Sequence, residues 1–310
     1  MSSATVLPEE VQVFERGWLS SNNILLHGGD GEDATLIDTG HVAHAEQTLA
    51  LVRRALRPGH TLARIVNTHL HSDHCGGNAT LQRAFGARVV IPPGDAEAVA
   101  QWDEDRLTYR LTAQRCERFA ADALLQPGAS FTVGRRCWQA HAAPGHDTHS
   151  LIFFDAGDGT LVSADALWEN GFGVVFPELD GVDAFDDVAA TLALIESLAP
   201  RRVIPGHGAP FSDVAGALQR ARSRLAAFRA EPTKHARHAI KALAKYHLLE
   251  IGSQPLADLR AWFGTTPIAR QVWQRLGRPA GSAAAWGAEL LAELAAQDAL
   301  AVRDGVAYNA

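Results

Sequence analysis

Apolar and β-branched residues fall in short runs along the N-terminal two thirds of the chain, and Gly, Asp, Asn or Pro cuts each run. Runs of this kind predict strands: Val11 to Phe14, Asn23 to Leu26, Ala34 to Ile37, Ala63 to Val66, Arg88 to Ile91, Ser130 to Val133, Cys137 to Ala140, Leu151 to Phe154, Thr160 to Ser163 and Arg202 to Ile204. Helical spacing falls between them. It covers Val42 to Arg57, stopped by Pro58-Gly59, and Asn78 to Phe85, closed by Gly86. Phe185, Val188, Leu192 and Ile195 share one helical face, and Asp95 to Leu125 reads as a polar helix. Alternation of this type predicts an α/β fold. The last part of the chain reads differently, as helices over His235 to Leu249, Leu256 to Phe263, Ile268 to Leu276 and Glu289 to Gln297. A hairpin of Ala299 to Val302 and Val306 to Tyr308 follows, turning at Arg303-Asp304-Gly305.

Charge changes where the pattern does. Residues 220–310 carry 13 Lys and Arg against 7 Asp and Glu, and residues 1–219 carry 15 against 28. A boundary is therefore expected near Pro210 to Pro232, giving an α/β domain of 1–219 and a C-terminal domain of 220–310. With 47% hydrophobic and 20% charged residues, the chain is neither disordered nor collagen-like, and no run is long enough to span a membrane. The N-terminus lacks a basic start and an apolar core, so no secretory signal is expected. Cys75, Cys116 and Cys137 are odd in number and read as free thiols in a reducing compartment, which places the protein in the cytoplasm.

The chemistry lies at strand ends. Asn67-Thr68-His69-Leu70-His71-Ser72-Asp73-His74-Cys75-Gly76-Gly77 follows a buried strand and precedes a helix. His69 and His71, two apart on an extended segment, point the same way. Asp73 and His74 lie in the turn that follows and can face a second point nearby. Imidazole and carboxylate are ligands for zinc and related divalent metals. His146 and His207 each follow Pro-Gly after a strand, and Asp165 ends another. One such histidine would be ordinary. So many buried imidazoles without partners would be costly, which favours a ligand role for the set.

This ordered set, together with Asp38-Thr39-Gly40, resembles the ligand set of the metallo-β-lactamase superfamily over about residues 10–215. The resemblance implies a four-layer αββα sandwich with two metals at one edge. His69, His71 and His146 would hold the first, Asp73, His74 and His207 the second, and Asp165 would bridge them. It implies hydrolysis of an ester, thioester or lactone carbonyl by a metal-bridging hydroxide, as in glyoxalase II-like thioesterases and lactonases. Asp73 would also act as the catalytic proton acceptor, and Asp38 and His149 would support ligands from outside. Zinc is the first expectation, with iron or manganese also suited to the donors. A histidine at 71, where flavodiiron-type oxygen reductases carry Glu, argues against reduction of O₂. Asp165 argues against β-lactam hydrolysis. A mononuclear iron sulfur dioxygenase stays as an alternative.

The variable loops, around Trp102 to Tyr109 and Trp168 to Phe176, are expected to choose a small acyl ester, thioester or lactone. The helices and hairpin of the tail resemble a small winged-helix domain, with Lys234, His235, Arg237, His238, Lys241 and Lys245 making one helix basic. A nucleic-acid-acting hydrolase docking through this domain is the second hypothesis. The acidic catalytic part disfavours it. Packing over the catalytic edge, or forming a homodimer, is the simpler use of the tail.

Overall fold

The structure, a computed structural model, describes residues 5–29 and 31–310. One sheet contains β1 (Val11–Phe14), β2 (Asn23–Leu26), β3 (Ala34–Ile37), β4 (Leu62–Val66), β5 (Arg88–Ile91) and β6 (Ala123–Leu124), in that order. Its pairs are antiparallel up to β3 and parallel beyond. The second sheet contains β7 (Ser130–Val133), β8 (Arg136–Ala142), β9 (Leu151–Asp155), β10 (Thr160–Ala164) and β11 (Arg202–Pro205), ordered β11-β10-β9-β8-β7. Only the β10–β11 pair is parallel in this sheet.

The period-2 alternation of each strand builds four layers. Ile24, Leu26, Ile37 and Val66 face Trp138, Leu151, Phe153, Val162 and Ile204 in the core between the sheets. Their neighbours Leu25, Leu36 and Ile65 turn outward. They meet Leu49 and Val52 of α1 (Ala45–Ala55), beyond which come α2 (Ser72–Cys75) and α3 (Asn78–Phe85), with Leu81 in the same cluster. On the other side Ile152, Phe154, Leu161 and Val203 face the remaining helical layer. Burying a side chain such as Phe153, fully enclosed between the sheets, contributes about 1.5–3 kcal/mol. The expected α/β sandwich is therefore present.

The segment expected as one helix over Asp95 to Leu125 is broken. It forms α4 (Ala96–Gln101), the single turn α5 (Tyr109–Thr112) and the short β6. Trp102 and Ala113, both at φ 55°, end α4 and α5, and Thr108, at φ 64°, stands just before α5. Trp102 turns inward onto Tyr109 and Phe119, with ring centroids 6.1 and 5.5 Å away. Burying that indole outweighs continuing a polar helix.

Next come α6 (Phe176–Asp180), α7 (Phe185–Leu198) and α8 (Val214–Ala230). The division expected at 219/220 falls inside α8. Ala217, Leu218, Ala221, Leu225 and Phe228 of this helix pack with Val188, Leu192 and Ile195 of α7, so α8 completes the outer layer of the second sheet. The helical run breaks at Glu231, whose backbone is extended, and Pro232 starts α9 (Pro232–Ile251). We place the division there.

The extension continues through α10 (Leu256–Thr265), α11 (Pro267–Arg275) and α12 (Ala283–Ala296). The strands β12 (Ser253–Pro255), β13 (Leu300–Arg303) and β14 (Val306–Asn309) form a small sheet ordered β12-β14-β13. α12 begins before the expected Glu289 because the Ser282 hydroxyl caps it, accepting from Ala285 N at 3.1 Å. Ile240, Leu248, Phe263, Val272, Trp286 and Leu290 form a separate core that also takes in Leu179 of α6. No helix among the described residues is long and apolar enough to cross a membrane.

Candidate metal centre

The C-terminal ends of β3, β4, β8, β10 and β11 converge at one edge of the sandwich and carry Asp38, the 67–77 turn, His146, Asp165 and His207. Hydrogen bonds between the sheets fix that edge. Leu151 N donates to Thr68 O at 2.8 Å. The fully buried Asn22 donates its side-chain amide to Pro205 O and Gly208 O, at 2.9 and 2.7 Å.

Two donor groups result. In the first, His69 Nε2 lies 3.1 Å from His71 Nδ1, which lies 2.8 Å from His146 Nε2. In the second, His207 Nε2 is 3.1 Å from Asp73 Oδ2, and His74 Nε2 is 3.7 Å from the same oxygen. Asp165 lies between the groups. Its Oδ2 is 3.3 Å from His146 Nε2, and its Oδ1 is 3.5 Å from His74 Nε2 and 3.9 Å from His207 Nε2. The backbone aims this carboxylate closely. Ala164 is held at φ 46°, and a Cβ at Gly206 would run into the Asp165 carboxylate.

These residues suit divalent cations. Nitrogens bound tetrahedrally at about 2.0–2.1 Å sit roughly 3.3 Å apart, close to the spacing within the first group. Burial pushes His146 down to about 4 and holds His69 well below its ordinary value, while His71 is lowered by the same cause. The three are neutral at pH 7, the form that ligates a metal. Burial resists a charge on His74, but Asp165, Asp38 and Asp73 together hold its pKa well above the ordinary range. Burial likewise opposes ionisation of Asp73, yet His74 and His207 bring it down to about 2. His74 Nε2 is fully buried, faces two carboxylates and has no hydrogen-bond partner. A protonated ring nitrogen crowded by carboxylates marks a place where a metal cation can replace the proton.

The outer faces of the rings are held. His74 Nδ1 lies 2.7 Å from Asp38 Oδ2, and Thr68 donates its N–H and hydroxyl to the same carboxylate at 2.9 and 2.7 Å. Asp38 sits at φ 55°. His69 Nδ1 is 3.1 Å from Thr68 Oγ1, and His146 Nδ1 is 2.6 Å from Val174 O. Asp38→Asn keeps a residue tolerant of that backbone but removes the charge behind His74. It is expected to weaken divalent-metal affinity by about tenfold, measured by competition with a coloured chelator. Unchanged affinity would reduce Asp38 to a turn former.

His149, expected to orient a ligand, turns away. Its Nδ1 pairs with Asp95 Oδ1 at 2.9 Å. The acid facing His71 is Asp147, with Oδ2 3.9 Å from Nε2. Other neighbours went unread. Trp168 Nε1 donates to Asp165 Oδ1 at 3.2 Å. Trp18 stacks on His207, with centroids 5.4 Å apart, and Phe176 lies 4.7 Å from His71. The aromatic cluster of the 168–176 loop was the signal for Trp168 and Phe176, and Trp18, far away in the chain, left none.

The donors floor a cavity of about 580 Å³, and Phe172, Val174 and Phe176 form part of its wall. From α9 come His238, Leu243, Lys245, Tyr246 and Leu249, so the extension covers the site.

A family model described as Metallo-beta-lactamase superfamily matches residues 16–207. A hydroxyacylglutathione hydrolase of Anaeromyxobacter dehalogenans (strain 2CP-C) is 29% identical over 162 residues, 52% of each chain. One of the same name from Pseudomonas savastanoi pv. phaseolicola (strain 1448A / Race 6) is 35% identical over 124 residues, 38% of this chain and 39% of the relative. The chain thus matches about half or less of the length of these curated relatives. In structure, a B3 metallo-beta-lactamase is similar with a TM-score of 0.55 at 24% identity, over 67% of this chain and 96% of that one. A metallo-beta-lactamase family protein from Thermus thermophilus covers 97% of this chain and 98% of its own, with a TM-score of 0.56 at 19% identity. These two likenesses concern the fold.

Proposed function

The chain belongs to the metallo-β-lactamase superfamily, and from that premise we propose a hydrolase using two divalent metals, zinc first, on a small acyl thioester or a related ester or lactone. One observation carries it: the two oxygens of Asp165 point to two different donor groups. His69, His71 and His146 are assigned to one ion, Asp73, His74 and His207 to the other, and Asp165 to both. When bound, the ions would make water reactive near neutral pH and polarise the substrate carbonyl.

The chain's own groups do the rest. Asp73 lines the cavity with Oδ2 directed at His207. We assign Oδ1 the proton of the attacking water. Trp168 holds Asp165 in place through Nε1. Phe172, Val174, Phe176 and Leu243 offer apolar surface to an acyl chain and exclude water from it. Beyond the donors, the lining brings Arg224 and Lys245 against one side-chain carboxylate, Glu169. Among the described residues neither cation forms an ion pair. That balance suits a substrate with an anionic tail. The relatives named as hydroxyacylglutathione hydrolases make a thioester the first choice.

We read the extension as a winged-helix-like domain serving as a roof. Its basic helix is engaged inward. Arg237 and Lys241 pair with Glu293 of α12, His235 Nε2 accepts from Val175 N at 3.1 Å, and His238 Nε2 lies 2.7 Å from Arg224 Nη2. Little of that helix is left for phosphates, which favours the small-molecule reading.

The test is a panel of acyl thioesters, esters and lactones with charged and neutral tails, run beside metal analysis. Turnover of an anionic thioester with about two metals per chain is expected. Lys245→Met is expected to raise KM for that substrate about tenfold, with kcat and neutral substrates little changed. One iron per chain with consumption of O₂ would instead identify the sulfur dioxygenase. No turnover of any member by metal-loaded protein would refute the hydrolase.

A further inference from the structure

The Sγ atoms of Cys75 and Cys116, 41 positions apart in the chain, lie 3.8 Å from one another. Both are free thiols. Cys75 is fully buried and ends α2, the helix carrying Asp73 and His74. Cys116 is partly exposed, in the irregular stretch between α5 and β6. Tyr109 joins the pair to the donor loop. Its Oη is 3.2 Å from Cys75 Sγ and donates to Leu70 O, between His69 and His71, at 2.8 Å.

We propose that Cys75 and Cys116 form a reversible disulfide under small-molecule disulfides, a modification site lying directly behind the metal-donor loop. Cys116 is the entry point because it reaches solvent. Its sulfur attacks one sulfur of a reagent RSSR, forming a mixed disulfide and releasing RS⁻, which takes the proton that Cys116 gives up. Cys75 then attacks the Cys116 sulfur. The protein S–S bond forms, the mixed bond breaks, and the second RS⁻ takes the Cys75 proton. Two protein thiols are oxidised and one RSSR is reduced to two RSH. An S–S bond of about 2.05 Å requires the sulfurs to close by roughly 1.8 Å. Cys116 belongs to no helix or strand, whereas Cys75 is held by hydrogen bonds to Leu70 O and His71 O. Residues 113–122 therefore move toward α2, and the pull falls on the segment bearing Asp73 and His74.

The proposal is independent of the substrate, so chemical readouts come first. Metal-loaded protein is treated with oxidised glutathione, alkylated and digested. The expected product is a Cys75–Cys116 cross-link, about 2 Da lighter than the two thiol peptides and lost on treatment with dithiothreitol. Cys137, exposed on β8, should appear only as a mixed disulfide. Metal affinity, read by chelator competition, should fall about tenfold on oxidation and recover on reduction. Cys116→Ser, or Cys116→Ala if the first variant folds poorly, should give no cross-link and constant affinity. Cys116 recovered only as the glutathione adduct, with Cys75 unmodified, would overturn the pairing. A cross-link with unchanged affinity would overturn its coupling to the donor loop.

Discussion

Asp165→Ala is expected to lower turnover by about 1000-fold or more while leaving the fold intact. The carboxylate lies between the two donor groups, with Oδ2 toward His146 and Oδ1 toward His74 and His207. Removing it takes a ligand from each proposed ion and the neutralising charge from between them. The fold should survive because the core lies elsewhere, between the sheets and under the helices. The electrostatic balance also survives in part. His74 keeps Asp38 at 2.7 Å, and Asp73 keeps His207 at 3.1 Å. The check is steady-state kinetics with metal content and circular dichroism on one preparation. Metal per chain should fall from about two toward one with an unchanged spectrum. His71→Ala should behave similarly at the first group. Wild-type turnover in either variant would remove those residues from the chemistry.

What could be read beforehand follows the range of the interactions. The strands were legible because their side chains alternate between two buried faces, as Ile24, Leu25 and Leu26 do. The donors were legible because a short turn after β4 concentrates four of them and the order of the rest resembles a family. Groups acting across long separations left no local mark. Asn22 meets Pro205 from 183 positions away, and Cys75 meets Cys116 from 41. The expected 219/220 cut falls inside α8 for an electrostatic reason. The positive charge that begins at Arg220 complements the catalytic part. Arg222 pairs with Glu196 and Arg229 with Asp186, both on α7, and Arg220 donates to Glu169 O. The change in charge thus marks two surfaces packed together, and it comes before the point where the chain divides. The broken 95–125 segment was misread because Trp102, Thr108 and Ala113 take left-handed backbone without a glycine to announce it.

Removing the metal should destabilise the protein as well as silence it. The donor groups place seven side chains within reach of one another, six of them buried and His71 nearly so. Without cations, the neutral rings of His69, His71 and His146 face one another across 2.8–3.1 Å, and only imidazoles face the acids Asp73 and Asp165. An ion that binds the folded chain and not the unfolded one contributes RT ln(1 + [L]/Kd), about 4 kcal/mol when free metal exceeds Kd 1000-fold. For a chain of this size that corresponds to on the order of 10 °C in Tm. Dialysis against a strong chelator, then calorimetry and the thioester assay, should show both losses. Readdition of zinc should restore both, with Tm rising as free zinc is raised. Manganese or iron restoring activity better than zinc would reassign the metal and keep the site. A chelated protein with unchanged Tm and full turnover would leave the clustered imidazoles without a chemical purpose, and the hydrolase reading would fall with them.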